Sequence, residues 1–373
     1  MAETDFGSLT TQQKKVWSAL VWQAGRDASF FMGQKGFMGE DVKDATKPIH
    51  YVNELTATER GAKCVMPLVQ DLVGDGVAGD SKLEDSEESL VVDDVEISID
   101  QLRHAVKSRG KMSEQKTVIR FRAQGKDKLG HWLSDKVDEM LFLTASGIAF
   151  TKKLDGSTRS GSQLSSLAFA SDVSAATSKR QLFGGTAIAT SGLTTADKMT
   201  WNLLVKSRSA AVRRRIKPVR INGTPTYIVV MAPEQARDLK TDTDYKTIVA
   251  QAGVRGKDNE LFKGAFAYVD GLVLYEHNKC YTTFGLTSGV DKWGSGSNVD
   301  GAIALFMGAQ ALGYARIGDF SWEESDNTDY KNKQGLAYGG IIGMLKPKFK
   351  SATEGNTTED FGIITISTAA TSS

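Results

Sequence analysis

Hydrophobic side chains recur with helical spacing along the segment from residue 113 to about residue 144. The residues on this face are Leu129, Trp132, Leu133, Val137, Met140, Leu141 and Thr144. Their separation by three or four positions predicts an α-helix, and roughly thirty residues of helix extend about 45 Å. Gly125 and Gly130 each cost about 1 kcal/mol relative to alanine, which favours a bend in this long helix.

A shorter amphipathic pattern near the start of the chain predicts another helix. Thr10 and Gln13 have the spacing of a capping box. The apolar stripe that follows consists of Val16, Trp17, Leu20, Val21 and Ala24. The residues beyond it lack sustained periodicity. We therefore interpret the N-terminal part as an arm that lies on another surface rather than as a domain with its own core.

The second half of the chain alternates apolar runs with turns that contain glycine. Strands are predicted at 227–231 (YIVVM) and at 267–277 (AYVDGLVLYEH), and Pro233 opens a helix over 233–245. Segment 301–315 (GAIALFMGAQALGYA) carries no charge but is too short to span a bilayer. We interpret it as a buried element and expect no contact with a membrane.

Residues 157–195 are rich in serine, threonine, alanine and glycine, which indicates a loop or an insertion. A helix is predicted to begin near Thr195 or Ala196. It continues towards the arginines at 213–215 and ends before Pro218, because proline cannot continue a helix.

Charge is balanced over the chain but segregated along it. The 373 residues include 46 bases and 45 acids, a net charge of +1, so the chain as a whole is not built to hold nucleic acid. Eleven acids and one base lie in 71–100, ten bases and three acids in 101–136, and seven bases with no acid in 201–220. Blocks of opposite sign can pair within a chain or between copies, where they determine register and partner choice more than stability.

The motif G-x-G-x-x-G occurs inside the acidic segment, at Gly74, Gly76 and Gly79. In a dinucleotide-binding fold this motif opens a helix and accepts a pyrophosphate, which requires little negative charge nearby. Here Asp75 lies within the motif and many acids follow it. We therefore interpret the glycines as a turn, and we expect residues 61–100 to form a hairpin with a long acidic tip.

The remaining motifs indicate neither catalysis nor a metal site. The four histidines are far apart, and His277 with Cys280 is only a fragment of a zinc pattern. Matches to S-x-x-K at 108–111 and 113–116, and to S-D-N at 325–327, lack the third element of that set, K-T-G. No enzyme activity, metal or cofactor is therefore expected.

Cysteine content and the first residues bear on location. Cys64 and Cys280 are the two cysteines of the chain, too few for a disulfide framework and typical of a reducing compartment. The opening residues, Met-Ala-Glu-Thr-Asp, lack the basic flank and the apolar core of a signal peptide. We expect assembly inside the cell.

The basic run AAVRRRIKPVR leaves three interpretations open. Its arginines could bind a phosphate backbone. They could instead form a solvated helix end whose charge suits the C-terminal helix dipole, which is the more ordinary interpretation. They could also pair with an acidic loop of a neighbouring copy.

Several segments together resemble one known family. The run IDQLRHAVKSRGKMSEQKT (99–117), preceded by GDGVAGDSKLEDSEESL, is similar to the signature of tailed-bacteriophage major capsid proteins. The segments YIVVMAPEQARDLKTDT, FKGAFAYVDGLVLYEHN, ALFMGAQALGYA, GLAYGGIIGMLK and DFGIITISTAA follow in the order of that family. The resemblance runs from the N-terminal arm to the last ten residues. Segment 157–185 is the least similar part, and LED at 83–85 departs from the LEG of the family.

The resemblance implies an α+β fold, the Hong Kong ninety-seven-type phage capsid fold. The corresponding division is an N-terminal arm (1–68), an extended loop (69–111), a peripheral domain with its spine helix at about 113–144 and a Ser/Gly-rich insertion (112–220), an axial domain (221–317) and a return to the peripheral domain (318–373).

The resemblance also implies a structural function. Copies of the chain would form pentamers and hexamers that close into an icosahedral head shell around double-stranded DNA. The implied partners are the chain itself, a portal, scaffold or decoration proteins, and packaged DNA through non-specific contacts. Assembly would take place in the bacterial host cytoplasm and end in the virion capsid. A net charge near zero suits a container, because a strongly basic lining would retain DNA that must later leave.

For the contacts between copies, we hypothesise that the acidic loop of one copy lies over a basic surface of the next. The acidic candidates are Asp85, Glu87, Glu88, Asp93 and Asp94. The nearest basic candidates are Arg103, Lys107, Arg109 and Lys111, and the second choice is Arg213, Arg214 and Arg215.

Three alternatives remain at this stage. An encapsulin-like compartment would share the fold but enclose enzymes. A nucleic-acid-binding module would use the arginine run and would show salt-dependent affinity for DNA as a free subunit. An enzyme with an unfamiliar site has no clustered acid, base or nucleophile to support it.

Overall fold

The computed structural model describes an α+β fold with two main sheets. The described residues are 18, 21, 29–33, 37–39, 45–52, 63–69, 72, 74–84, 87–88, 92–112, 116, 121–221, 223–251, 267–328, 332–351, 354–355 and 357–372. The helices are α1 (Phe30–Gly33), α2 (Phe121–Ser146), α3 (Trp201–Arg213), α4 (Pro233–Thr241) and α5 (Thr243–Gln251). Short 3₁₀ turns lie at Leu164–Ser166, Ala168–Asp172, Ser178–Arg180 and Thr190–Gly192.

Fifteen strands are described. They are β1 (Ile49–Val52), β2 (Lys63–Val69), β3 (Val92–Ser98), β4 (Asp100–Lys107), β5 (Gln181–Phe183), β6 (Val219–Ile221), β7 (Thr224–Met231), β8 (Ala267–Val269), β9 (Leu272–Glu276), β10 (Gly301–Met307), β11 (Leu312–Thr328), β12 (Lys333–Leu345), β13 (Lys348–Ser351), β14 (Thr357–Asp360) and β15 (Ile363–Ala369).

The longest helix, α2, is buried along the face that the hydrophobic spacing predicts. Leu129 and Leu133 are at most 1% exposed, and every residue from 137 to 146 is buried. A Cβ at Gly125 would lie 2.6 Å from Leu336 Cδ1, so glycine permits the close contact of α2 with β12. The predicted bend at the two glycines stays a prediction.

Most of the predicted start of α2, over 113–120, lies outside the described residues. The helix is described from Phe121, and residue 116, the one described residue of 113–120, lies in a turn. The apolar face that carried the prediction begins only at Leu129, so the polar residues before it held little information about where the helix starts.

The first main sheet has the order β1–β11–β12–β4. β1 runs parallel to β11, and the other neighbours are antiparallel. The register of β11 on β12 shifts between Ile317 and Ser321, where Gly318 has a φ of 63°. This is the geometry of a β-bulge, which bends and twists the long strand.

The second main sheet has the order β5–β15–β10–β7–β9–β8, with β6 on β7. Alternate residues of β7 enter different cores, as the period of a strand requires. Ile228 and Val230 join the core around α2, whereas Val229 and Met231 join the core formed with α3 and α4. The predicted buried strand at 227–231 is confirmed.

The helix predicted to open at Pro233 is confirmed, but it is two helices rather than one. Asp242, between α4 and α5, has an extended backbone with a ψ of 135°. Its carboxylate accepts a hydrogen bond of 2.7 Å from Trp201 N–H. The Asp242 side chain therefore binds the first turn of α3, and the helix divides there.

The single strand predicted at 267–277 is wrong, because the segment is the hairpin of β8 and β9. Asp270 and Gly271 form its turn, with φ values of 51° and 69°. Positive φ at both central residues is the signature of the tight hairpin turn that Asp-Gly favours. Segment 301–315 is buried as predicted, although it divides into β10, a turn and the start of β11.

The Ser-rich segment 157–195 has no long element, as predicted, but it is packed against the body. Phe169 is fully buried in the main core. The helix after it begins at Trp201, not near Thr195, because Thr200 is its N-cap and accepts from Leu203 N–H. It ends at Arg213, before Pro218 as predicted.

The predicted N-terminal helix lies mostly outside the described residues, as does its capping box. Ser18 and Val21 are described as helical, and Val21 belongs to the main core. The proposed boundary between 317 and 318 falls inside the continuous strand β11, and β15 lies in the second sheet beside β10. The division into domains stays a prediction.

Candidate inter-subunit surface

The acidic segment is carried by an antiparallel hairpin, which confirms the hairpin expected over 61–100. β2 pairs with β3 from Lys63 opposite Ser98 to Val69 opposite Val92. One face of this stem is buried against Ala315, Leu345 and Phe361 of the body. Its buried residues are Cys64, Met66, Leu68 and Ile97. The other face carries the exposed ion pair of Lys63 with Glu96.

Two glycines allow the stem to lie close to the first sheet. A Cβ at Gly313 would lie 2.8 Å from Ile97 Cδ1, and a Cβ at Gly343 would lie 2.4 Å from the Ser98 carbonyl oxygen. The stem is also held by hydrogen bonds, since Ser98 N–H donates to Asp172 Oδ2 at 3.2 Å. The base of the hairpin is therefore fixed to the body.

The described part of the hairpin tip, residues 72, 74–84 and 87–88, lies in solvent. Among its described residues, all are exposed except the half-buried Val77, and Leu72 and Leu83 are 59% and 61% exposed. Gly76 and Gly79 have φ values of 72° and 64°, and Gly79 lies in a turn, as predicted for these glycines. Gly74 N–H donates to Glu88 Oε2 at 2.7 Å, so a carboxylate occupies the position where a dinucleotide site would need a phosphate.

The five acidic candidates fall at different places on this hairpin. Glu87 and Glu88 are exposed on the tip. Asp93 and Asp94 belong to β3, where they pair with Leu68 and Pro67. Asp85 lies outside the described residues.

The first group of basic candidates lies along β4 and just after it. Arg103 and Lys107 are exposed on the same side of β4, whereas Leu102 is buried in the core. Arg109 and Lys111 follow the strand and are exposed. Beside them, β12 presents Gly335, Ala337 and Gly339 opposite Lys107, Ala105 and Arg103. The basic side chains therefore border a shallow surface of small residues.

The second group, the arginines at the end of α3, does not act as one patch. Arg213 and Arg215 are exposed, and Arg215 has a φ of 54° where the helix ends. Arg214 turns towards Glu354, with 3.6 Å between Nε and Oε1. Burial lowers the pKa of the Arg214 guanidinium, and the nearby charge of Arg180 lowers it further. Only two of the three arginines are exposed to a partner.

The sequence analysis did not predict a buried ionic cluster that lies beside Arg214. Arg180 is completely buried and binds Glu354 through both terminal nitrogens, at 3.0 and 3.3 Å. Its Nε donates to the Asp360 carbonyl oxygen at 2.9 Å. These residues join the Ser-rich segment to the hairpin of β13 and β14. No local sequence signal marks them, because the partners are separated by more than 170 positions.

Within the described part of the chain, no group of three or more metal-ligating side chains is present. No described helix is long and apolar enough to cross a membrane. Cys280 is fully buried, which raises the pKa of its thiol, and His277 stacks on Phe142 with ring centroids 5.1 Å apart. Cys280 is thus packed in the core, and His277 is half-buried against an aromatic ring.

Comparison with known proteins gives the family. The model of the phage capsid protein family matches residues 8–372. The major capsid protein of Pseudomonas phage KPP25 is 40% identical over an alignment of 375 positions, which covers 98% of this chain and 98% of that protein. The chain belongs to the phage capsid protein family.

Solved capsid structures share the fold of this family member. The capsid of Ralstonia phage GP4 is 26% identical with a TM-score of 0.75, over 100% of this chain and 96% of that chain. The capsid of cyanophage Pam1 is 16% identical with a TM-score of 0.67, over 91% and 92% of the two chains. The head structure of Helicobacter pylori bacteriophage KHP40 is 15% identical with a TM-score of 0.64, over 100% and 95%.

These matches confirm the α+β fold of the Hong Kong ninety-seven type. They also favour the phage capsid over the encapsulin-like alternative, because the family model and the similar sequence both describe phage capsid proteins. The family is structural. The contacts between copies proposed from the sequence stay predictions.

Proposed function

We propose that this chain is the major capsid protein of a tailed phage, the repeating subunit of its icosahedral head shell. The support is the match to the phage capsid family over residues 8–372 and the 40% identity to a phage major capsid protein over nearly the whole length of both chains. Pentamers and hexamers of one chain would close the shell around double-stranded DNA.

The observation that best supports this function is the exposed tip of the hairpin. A loop from 70 to 91 buries almost none of its described side chains in its own chain, although it carries the apolar Leu72 and Leu83. Ordering an extended segment costs conformational entropy that the segment's own contacts must offset. A neighbouring copy supplies those contacts.

We propose that this acidic tip lies over the basic side of β4 in the adjacent copy. Glu87 and Glu88 carry charge opposite to that of Arg103 and Lys107, and all four are exposed. Such pairs fix register and partner choice more than they add affinity. Arg213 and Arg215 form the second candidate surface, whereas Arg214 binds Glu354 of its own chain.

The other partners follow from the same proposal. The shell would contact packaged DNA without sequence preference, and a portal together with scaffold or decoration proteins would complete the head. Assembly would occur in the bacterial host cytoplasm. The domain division given above, from the arm at 1–68 to the return at 318–373, describes how one subunit would contribute to the shell.

Negative-stain electron microscopy tests the proposed function. The purified protein, and particles from its native source, are expected to show closed shells tens of nanometres across, with DNA inside the native particles. Shells that contain cargo protein instead of DNA would favour the encapsulin-like alternative. If native particles are absent and the protein remains monomeric or dimeric with any scaffold supplied, the proposal is wrong.

A further inference from the structure

The strand β4 has an open edge that the proposed function does not by itself explain. Ser108 N–H donates to the Gln334 carbonyl oxygen at 2.7 Å, which fixes the hydrogen-bonding pattern of β4 on β12. In an antiparallel pair the backbone groups of successive residues point alternately towards the partner and away from it. Residues 102, 104 and 106 therefore face β12, and Arg103, Ala105 and Lys107 direct their N–H and C=O groups outwards.

These three residues, which we name the β4 edge, are also exposed on the outer face of the sheet. β4 ends the sheet order β1–β11–β12–β4, and across the described residues no backbone partner lies beyond it. Five residues of strand, 103–107, extend about 17 Å. An unpaired row of donors and acceptors of this length is a template for another strand.

The opposite edge of the same sheet is different. β1 covers the start of β11, and further along β11 the Phe320 carbonyl oxygen accepts a hydrogen bond from Ser18 Oγ. The N-terminal arm thus contacts the β11 edge, whereas the β4 edge has no backbone partner among the described residues and carries two basic side chains, Arg103 and Lys107.

We infer that the β4 edge binds the β2–β3 hairpin of a second copy by strand addition, so that backbone hydrogen bonds and charge act together. The inference rests on the proposed function and specifies how the two copies meet. The hairpin is a two-stranded sheet, so it brings an edge of its own. The hairpin with its tip, residues 63–98, carries ten acids and two bases, whereas the β4 edge carries Arg103 and Lys107.

Strand addition gives backbone hydrogen bonds whose strength does not depend on sequence, and side chains on the added strand give specificity. Three alternate residues, Arg103, Ala105 and Lys107, lie on the outer face of β4. The small side chain of Ala105 therefore lies between two cationic side chains. A strand with acids at alternate positions would place them beside these cations. Charged edges also prevent pairing with neutral or basic strands.

Amide hydrogen exchange in the unmodified protein is the first test. In shells assembled without DNA, the amides of Arg103, Ala105 and Lys107 are expected to exchange at least about tenfold more slowly than in free subunits. The amides of Leu102, His104 and Val106, already bonded to β12, serve as the internal control. Shells with unchanged exchange at the three edge amides would overturn the inference and leave the proposed function intact. Protection that requires packaged DNA would assign this edge to DNA instead.

A matched pair of variants gives the second test. Ala105→Pro removes the central edge donor without removing a hydrogen bond to β12, whereas Ala105→Thr keeps the donor at the same position. Proline is tolerated where the N–H of an edge strand faces solvent. With equal melting temperatures of the free subunits, Ala105→Pro should lower the shell yield at least about tenfold relative to Ala105→Thr. Equal yields would overturn the inference.

A photo-crosslinker at position 105 identifies the partner. In assembled shells it is expected to label residues 63–98 of another copy. Labelling of any other segment would show that the hairpin is not the strand bound there. If the unmodified protein forms no shells under any condition, the proposed function itself fails, an outcome separate from the three above.

Discussion

Lys346 and Asp360 face each other inside the protein, with 3.3 Å between Nζ and Oδ2 and no exposure of either side chain. Asp360 Oδ2 also accepts a hydrogen bond of 3.0 Å from Thr177 N–H. The pair thus joins the chain just after β12 to the end of β14 and to the Ser-rich segment. Burial lowers the pKa of Lys346, and the Asp360 charge opposes this effect.

Replacing Asp360 with asparagine is expected to destabilise the unassembled subunit by about 3–5 kcal/mol, because the Lys346 charge is then buried without its partner. Asparagine keeps an oxygen that can accept from Thr177 N–H, so the loss of stability measures the effect of removing the Asp360 charge. Urea unfolding of the free subunit measures the change. The double variant Lys346→Met/Asp360→Asn removes both charges and should recover a large part of the loss.

An exposed ion pair supplies the control for this prediction. Arg208 and Asp270 lie 2.8 Å apart with side chains 39% and 44% exposed. Asp270→Asn should change the unfolding free energy by less than about 1 kcal/mol, and asparagine suits the positive φ of that position. Similar losses of unfolding free energy for Asp270→Asn and Asp360→Asn would show that breaking the buried pair at 346 and 360 is no more destabilising than breaking an exposed one.

Asp138 holds the N-terminal arm on α2. Its carboxylate is 2% exposed and accepts hydrogen bonds from Ser29 Oγ at 2.6 Å and from Phe30 N–H at 2.7 Å. Asp138→Ala is expected to weaken the docking of residues 29–33 by about 1.5–3 kcal/mol, the usual range for hydrogen bonds to a charged group. Faster amide exchange at Phe30 and Phe31 would report the loss.

The neighbouring Asp135 provides a matched control. Both carboxylates lie near Lys279, at 3.7 Å for Asp138 and 2.9 Å for Asp135, but Asp135 is 57% exposed. Asp135→Ala should leave the exchange of the arm amides unchanged. If both variants release the arm equally, the effect comes from Lys279 and not from the hydrogen bonds of Asp138.

His277 makes the same region sensitive to acid. Its ring contacts both Phe30, with ring centroids 4.4 Å apart, and Phe142, with ring centroids 5.1 Å apart, and its Nδ1 accepts a hydrogen bond of 3.2 Å from Lys279 N–H. Burial lowers the pKa of His277 below its ordinary value of 6.5, while Asp138 raises it and Lys279 lowers it. The folded protein therefore favours the neutral ring.

Because the unfolded chain binds this proton more readily than the folded one, stability is expected to fall as the pH drops below about 6.5. The melting temperature of the free subunit should decrease more between about pH 7.5 and about pH 5.5 than that of His277→Asn. Asparagine keeps an acceptor for the Lys279 N–H but does not titrate. Parallel decreases in the two proteins would assign the acid sensitivity to other groups.

Residue spacing predicted the parts of the fold that depend on local patterns. The face of α2 at Leu129 and Leu133, the buried strand at 227–231 and the helix that opens at Pro233 all follow from periodicity or from one strong local residue. The hairpin of the acidic segment was also predictable, because glycines and acids interrupt two strand-like runs.

The remaining features depend on contacts between distant residues. Asp242 divides α4 from α5 by binding Trp201 N–H, and no pattern near residue 242 reveals a partner at residue 201. Arg180 and Glu354 are similarly remote. The turn at Asp270 and Gly271 is a different case, because Asp-Gly is a strong hairpin signal that was outweighed by the continuous apolar run around it.

The candidate site was predictable in its charges but not in its geometry. The separation of acidic and basic residues into different segments of the sequence indicated the acidic tip and the basic side of β4. It did not show that Arg214 turns inwards to Glu354, since three consecutive arginines look equivalent in a sequence. The direction of each side chain is decided by where α3 ends and by the burial of its neighbours.

Reversing the charges of Glu87 and Glu88 tests the proposed contact between copies. The variant Glu87→Lys/Glu88→Lys is expected to assemble poorly, and the defect should be larger at low salt than at high salt because ions screen exposed pairs. Loss of two exposed pairs, at up to about 1 kcal/mol each, corresponds to at most about a thirtyfold loss per contact. Shell yield by sedimentation, at salt concentrations of about 0.05 M and about 0.5 M, measures the effect.

Neutralising the same two residues separates charge from structure. In Glu87→Gln/Glu88→Gln, the side chain at 88 still offers an oxygen to Gly74 N–H, so the fold of the tip is retained and only the charge is lost. Its assembly should lie between that of the unmodified protein and the reversed variant. Adding Arg103→Glu/Lys107→Glu to the reversed variant should restore assembly, because each pair regains opposite signs. Normal assembly of the reversed variant at every salt concentration would exclude this contact, and rescue by reversing Arg213 and Arg215 instead would place the acidic tip on the end of α3.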